Sequence, residues 1–87
     1  MRDAEQAYRR RLILDVVETQ LRDKTPPETK ATLERLLEEG ITLDRAMELI
    51  GSLVASEIFD IMKHHRDFDL ERYIVLLKRL PELPADQ

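Results

Sequence analysis

Apolar residues recur along this 87-residue chain at the three- and four-residue spacing of amphipathic helices. This pattern predicts four helices over residues 3–22, 27–39, 43–65 and 69–80, joined by short loops. The sequence has neither the alternating pattern of strands nor an internal repeat. The expected fold is a compact all-α, four-helix domain that occupies residues 1–87 as a single unit, with a frayed tail from about residue 82.

The third predicted helix differs from the others because apolar residues nearly encircle it. A helix that is apolar on most sides is usually buried on most sides, so this one is expected to be the long central helix. Ala55, Phe59 and Met62 lie on the side opposite the main apolar face. That main face is formed by Ala46, Leu49, Ile50, Leu53, Val54 and Ile61, with Met47 and Ile58 at its edges.

Capping signals set the expected helix boundaries. Thr25 to Glu28 matches the Thr-x-x-Glu capping box, and Gly40 favours the left-handed residue that ends a helix. Thr42 and Asp69 are the expected N-caps of the third and fourth helices. In the fourth helix, Phe68 and Tyr73 hold the two positions of a hydrophobic staple.

Six further motifs lie in residues 18–21, 26–30, 33–36 with Gly40, 50–55, 57–60 and 68–73. Together they resemble a group of short bacterial all-helical proteins known as domains of unknown function. The resemblance covers roughly residues 10–82 and implies a helical fold, but its motifs are mostly caps and core positions. Members of this kind can carry histidines early in the third helix, where this chain instead has Asp44, Met47 and Glu48.

The cysteine content, the apolar stretches and the charge of the chain exclude or disfavour several classes of protein. The chain has no cysteine, which excludes disulfides and thiolate metal sites, and no apolar stretch approaches the length of a membrane span. We therefore expect a cytoplasmic protein without a membrane partner. The net charge is −4, and the only dense basic run is Arg9 to Arg11. A single short patch disfavours nucleic acid as a partner.

Glu57 is the residue that conflicts most with its surroundings, because it lies inside the apolar arc of the third helix. Asp60 and His64 continue the same stripe, and Glu18 of the first helix is a further candidate ligand. Two carboxylates and an imidazole on one face could hold a divalent metal or act as an acid–base pair. Alternatively, Glu57 could pair with a helix N-terminus or an arginine in a purely structural role.

A magnesium-dependent pyrophosphohydrolase would need more carboxylates than this stretch provides. Helical enzymes of that class use Glu-Glu-x-x-Glu on one helix and Glu-x-x-Asp on the next. Glu38-Glu39 and Glu57-Ile-Phe-Asp60 match in part, but Thr42 replaces the third glutamate and Gly40 breaks the helix. We expect no cofactor, with a divalent metal as the alternative.

The sequence favours a binding protein over an enzyme. The third helix is apolar on nearly every side, and three other helices are too few to cover all of its surface. The expected function is self-association into a homodimer, or binding of another protein, through Ala55, Phe59 and Met62. The alternative is a metal-dependent hydrolase or a metal-binding bundle that uses Glu57, Asp60 and His64.

Overall fold

The computed structural model describes residues 2–84, which form four α-helices. They are α1 (Arg2–Asp23), α2 (Pro27–Glu38), α3 (Leu43–His64) and α4 (Leu70–Arg79). Each end lies within one residue of its predicted position, and no strand occurs in the described range. The all-α, four-helix prediction is confirmed. Of the tail expected to fray, residues 82–84 follow α4, and residues 85–87 lie outside the described range.

Helix α3 is the central element, because it supplies more of the core than any other helix, although α2 also packs against each of the other three. The inner side of α3 supplies five of the eleven buried apolar core residues and also buries Glu57. α1 is equally long, at 22 residues, but contributes only one fully buried apolar side chain, Val17. The core residues of α3 are Ala46, Leu49, Ile50, Leu53 and Val54, and those from the other helices and the end of α4 are Leu36, Tyr73, Leu76, Leu77 and Leu80.

The buried face of α1 is rotated from the one that the apolar pattern favours. The apolar pattern places Ala7, Leu14, Val17 and Leu21 on one face, with Ile13 at its edge. Val17 and Leu21 do pack into the core, yet Ala7 is exposed and Leu14 is only half-buried. Ile13 packs against the core instead. Its Cγ2 atom lies 3.2 Å from the point that a Cβ on Gly51 would occupy, so α3 lacks a side chain where Ile13 approaches. The missing side chain permits the close contact on that side of α1.

The predicted capping box at the start of α2 is wrong. Pro26 is the N-cap residue, and no side chain caps the helix. The Thr25 hydroxyl instead donates to the carbonyl of Asp23 at 3.1 Å. Proline has no N–H, so Pro26 and Pro27 remove two of the donors that a cap would satisfy. The helix therefore begins at Pro27, one residue later than an N-cap at Thr25 would place its start.

The end of α2 matches the prediction at Gly40, whose φ is +92°. The Gly40 N–H donates to the carbonyl of Leu37 at 3.0 Å, and the Ile41 N–H donates to that of Leu36 at 3.1 Å. These two bonds form a Schellman motif, which satisfies carbonyls left open at the helix end. Ile41 also packs against the core, so the motif fixes the direction in which the chain enters α3.

The caps of α3 and α4 are confirmed. Thr42 accepts from the backbone N–H three residues further on at 3.2 Å, and Asp69 does the same at 3.0 Å. The Phe68 and Tyr73 rings meet edge to face with centroids 5.4 Å apart, which is the expected staple contact. The staple holds Tyr73 over the core, next to the buried Glu57 of α3.

Candidate protein-binding surface

The outer side of α3 carries an exposed apolar ridge formed by Ala55, Ile58, Phe59 and Met62. Ile58 and Phe59 are adjacent and the other neighbouring pairs are three or four positions apart, so all four lie on one broad face of the helix. Met62 is 71% exposed, Phe59 61% and Ile58 40%, whereas Ala55 is half-buried. The three residues predicted as an interface thus share one surface. Whether that surface binds a partner stays a prediction.

A groove borders the ridge on the side of α4. Its volume is about 1020 Å³, and Phe59 forms part of its wall together with Leu83 of the tail. Lys63 also lines it, with its Nζ atom 5.6 Å from the centroid of the Phe59 ring. This cation–π contact holds a positive charge at the edge of the ridge. We call this cavity the C-terminal groove.

Glu57 lies on the inner side of α3 and is 1% exposed. Its Oε2 atom has no hydrogen-bond partner among the described residues, and the nearest cation is the Nε atom of Arg72 at 3.8 Å. That distance permits an ion pair but exceeds hydrogen-bond length. Of the roles considered for Glu57, the geometry is closest to pairing with an arginine.

Asp60 connects this pair to the surface. Its Oδ2 atom accepts from Arg72 Nη1 at 3.3 Å and from Arg66 Nη2 at 3.2 Å. Arg72 of α4 therefore faces both Glu57 and Asp60 of α3, and Arg66 of the loop adds a second cation. His64 is exposed and joins none of these contacts within the described range.

The four residues considered as metal ligands are not brought together. Glu18 is ion-paired with Arg11 at 3.0 Å on the surface of α1, and His64 is exposed. Among residues 4–84, no three histidine or acidic side chains are placed to hold one metal ion. Glu57 and Asp60 do lie close to the same arginine, so a cation there would compete with Arg72. The metal-binding alternative stays a prediction.

A buried polar network, which the apolar pattern does not reveal, joins three helices. Gln20 Oε1 of α1 accepts from the Thr29 hydroxyl of α2 and from the Tyr73 hydroxyl of α4, both at 2.8 Å. Burial raises the pKa of Tyr73 above its ordinary value of 10.0, and the charge of Glu57 raises it further, although the bonds with Thr29 and Gln20 oppose the shift. The network ties α1, α2 and α4 together.

Two of the three arginines in the basic run of α1 are ion-paired within the fold. Arg10 Nη2 lies 2.8 Å from Glu48 Oε2 of α3. Arg11 is paired with Asp15 at 2.9 Å and with Glu18 at 3.0 Å. A nucleic-acid surface needs cations that are free to replace counterions. Whether nucleic acid is a partner stays a prediction.

None of the four helices within residues 2–84 combines the length and apolarity needed to cross a bilayer. A scan against protein-family models and searches of curated proteins and of solved structures found no match. The resemblance to short bacterial helical proteins therefore stays a prediction.

Proposed function

We propose that this chain is a protein-interaction module that self-associates through the apolar ridge on the outer side of α3. The observation that carries the proposal is the exposure of Phe59 and Met62, at 61% and 71%, on a helix whose inner side is already filled. Neither side chain is needed for the core. Large apolar side chains aligned on one rigid helix are typical of the centre of a protein interface.

The geometry of the ridge suits a second copy of the chain. Ala55 and Phe59 are one turn apart, so a small residue lies beside a large one along the helix. In a two-fold dimer, Phe59 of each copy can pack beside Ala55 of the other, because an isologous interface places the same patch on both subunits. Met62 adds a flexible side chain that fits an uneven partner surface.

Sedimentation of matched variants tests the proposal. Phe59→Asp is expected to give a folded monomer, since the interface would have to bury a carboxylate in place of a large apolar side chain. Val75→Asp is the control, because Val75 is 47% exposed on α4, away from the ridge. It should leave the wild-type dimer intact. A wild-type chain that stays monomeric at high micromolar concentration would contradict self-association, and association of both variants would place the interface elsewhere.

A further inference from the structure

A second groove lies between α1 and the first half of α3. Its volume is about 420 Å³, which falls within the usual range for small-molecule sites. The ridge residue at its edge is Ala55, whereas Phe59 and Met62 do not line it. We call this cavity the N-terminal groove. Ala55 belongs to both surfaces, so a second copy on the ridge would cover one edge of this groove, whereas the rest of the lining lies outside the ridge.

The floor of the N-terminal groove is apolar. Ile13 and Leu14 line it from α1, and Gly51 and Ala55 line it from α3. Gly51 is buried, and the other three are half-buried. Leu14 is part of the predicted core face of α1, but the rotation of that helix places it in this groove instead. The floor can therefore accept an apolar group from a ligand.

The rim of the groove is cationic. Arg9 and Arg10 of α1 and Arg45 of α3 line it, and Glu48 is the only carboxylate among the described residues of the lining. This leaves two positive charges in excess, on a chain whose net charge is −4. A local charge opposite to that of the whole molecule concentrates anions at the groove.

Glu48 pairs with two of the rim arginines but cannot accept from all of their N–H donors. Its two carboxylate oxygens face Arg10 at 2.8 Å and Arg45 at 3.5 Å, from opposite walls. The hydrogen bond from Arg10 is the main reason that the pKa of Glu48 lies below its ordinary value, so this carboxylate stays charged. Each guanidinium has five N–H donors, and one carboxylate cannot engage them all. Arg9 makes no hydrogen bond or ion pair within residues 4–84.

We propose that the N-terminal groove binds a small amphiphilic anion, with a carboxylate or phosphate head and an apolar body. The head would lie between Arg9 and Arg45, where guanidinium donors match the geometry of either oxyanion. The body would cover Ile13 and Leu14 on the floor. A groove of this volume is of the size that small-molecule ligands fill.

Calorimetric titration with four probes tests the proposal. Octanoate and octyl phosphate carry both head and body, inorganic phosphate carries only a head, and octan-1-ol carries only a body. At least one amphiphile should bind saturably, about tenfold or more tighter than either single-part probe. Comparison of octanoate with octyl phosphate identifies the preferred head. Amide NMR shifts should move at Gly51 and Ser52 of α3, which line the groove.

Paired charge variants locate the site. The double change Arg9→Gln and Arg45→Gln should weaken amphiphile binding by about tenfold or more without changing the melting temperature. The matched control, Lys63→Gln with Arg66→Gln, removes two charges from the C-terminal groove and should leave binding unchanged. The Phe59→Asp monomer, in which no partner covers Ala55, should bind the amphiphile at least as tightly as wild type. The proposal is overturned if neither amphiphile saturates, if octan-1-ol binds equally well, or if the Arg9 and Arg45 variant binds like wild type.

Discussion

Glu57 Oε2 lies 3.8 Å from Arg72 Nε, but the two side chains differ greatly in exposure, at 2% for Glu57 and 43% for Arg72. The pair is therefore asymmetric. Without Glu57, Arg72 still contacts water and the Oδ2 atom of Asp60 at 3.3 Å. Without Arg72, Glu57 is left as a buried carboxylate whose nearest cation is gone. The stability of the protein should depend much more on the arginine than on the charge of the glutamate.

Arg72→Met is expected to lower the free energy of unfolding by about 3 kcal/mol, since removing one partner of a buried pair strands the other charge. Arg66→Met is the matched control, because Arg66 is an exposed partner of Asp60. Its loss should cost less than about 1 kcal/mol. Urea denaturation of both variants measures the difference. Equal costs would mean that Arg72 does not compensate the charge of Glu57.

Glu57→Gln should restore most of the stability that Arg72→Met removes, because the neutral amide has no buried charge to compensate. In the wild-type background, Glu57→Gln should change the unfolding free energy by no more than about 1 kcal/mol. A double-mutant cycle from the same urea curves gives the coupling between the two positions. If the two costs simply add, the interaction at 3.8 Å contributes nothing to stability.

The two threonines before helices provide a second test. Thr42 caps α3 by accepting from a helix N–H, whereas Thr25 makes no such bond to α2. Thr42→Ala should therefore cost about 1 kcal/mol, and Thr25→Ala less than about half of that. Thermal or urea unfolding of the two variants compares the costs directly. An equal or larger loss at Thr25 would place the cap of α2 where the sequence pattern predicts it.

Local signals predicted the helix boundaries because each depends on a few neighbouring residues. Gly40, Thr42 and Asp69 cap or end helices through hydrogen bonds within one turn of their own positions, so their roles can be predicted from the sequence. Contacts between helices are different. Gln20 and Tyr73 are 53 residues apart, and no spacing rule indicates that they meet.

The candidate binding surfaces also divide into features set by local sequence and features set by contacts between helices. The alignment of Ala55, Phe59 and Met62 follows from helical spacing alone, so their shared outer face was predictable. The N-terminal groove was not predictable from the sequence, because its shape depends on the orientation in which α1 packs against Gly51. The pairing of Glu57 with Arg72 depends on the docking of α4, and the sequence pattern indicated only that a helix N-terminus or some arginine could be the partner.

Tyr73 should make the protein sensitive to alkaline pH. Its pKa is raised in the folded state, first by burial and then by Glu57, so folding favours the protonated phenol. This stabilisation is fully present below the unfolded pKa of about 10 and is lost as pH rises through the higher folded value. In a Tyr8→Phe background, Tyr73 is the only tyrosine. Its tyrosinate absorbance should then appear at higher pH in buffer than in urea. Identical titrations in the two solvents would contradict the burial of its hydroxyl.

The contact between Gly51 and Ile13 sets two effects against each other. Alanine is favoured over glycine inside a helix by about 1 kcal/mol, which would make Gly51→Ala stabilising. However, the new Cβ would lie 3.2 Å from Ile13 Cγ2, closer than ordinary contact, and Ile13 is β-branched and stiff. The crowding should cancel most of the gain in helix propensity.

Removal of Ile13 separates the two effects. In an Ile13→Ala background, the neighbour that crowds position 51 is gone, so Gly51→Ala should stabilise the protein by about 1 kcal/mol. In the wild-type background, the same change should be close to neutral or destabilising. Urea denaturation of the four chains gives the coupling energy, which we expect to be at least about 0.5 kcal/mol for residues in direct contact. Equal stabilisation in both backgrounds would mean that Gly51 is not required for the approach of α1 to α3.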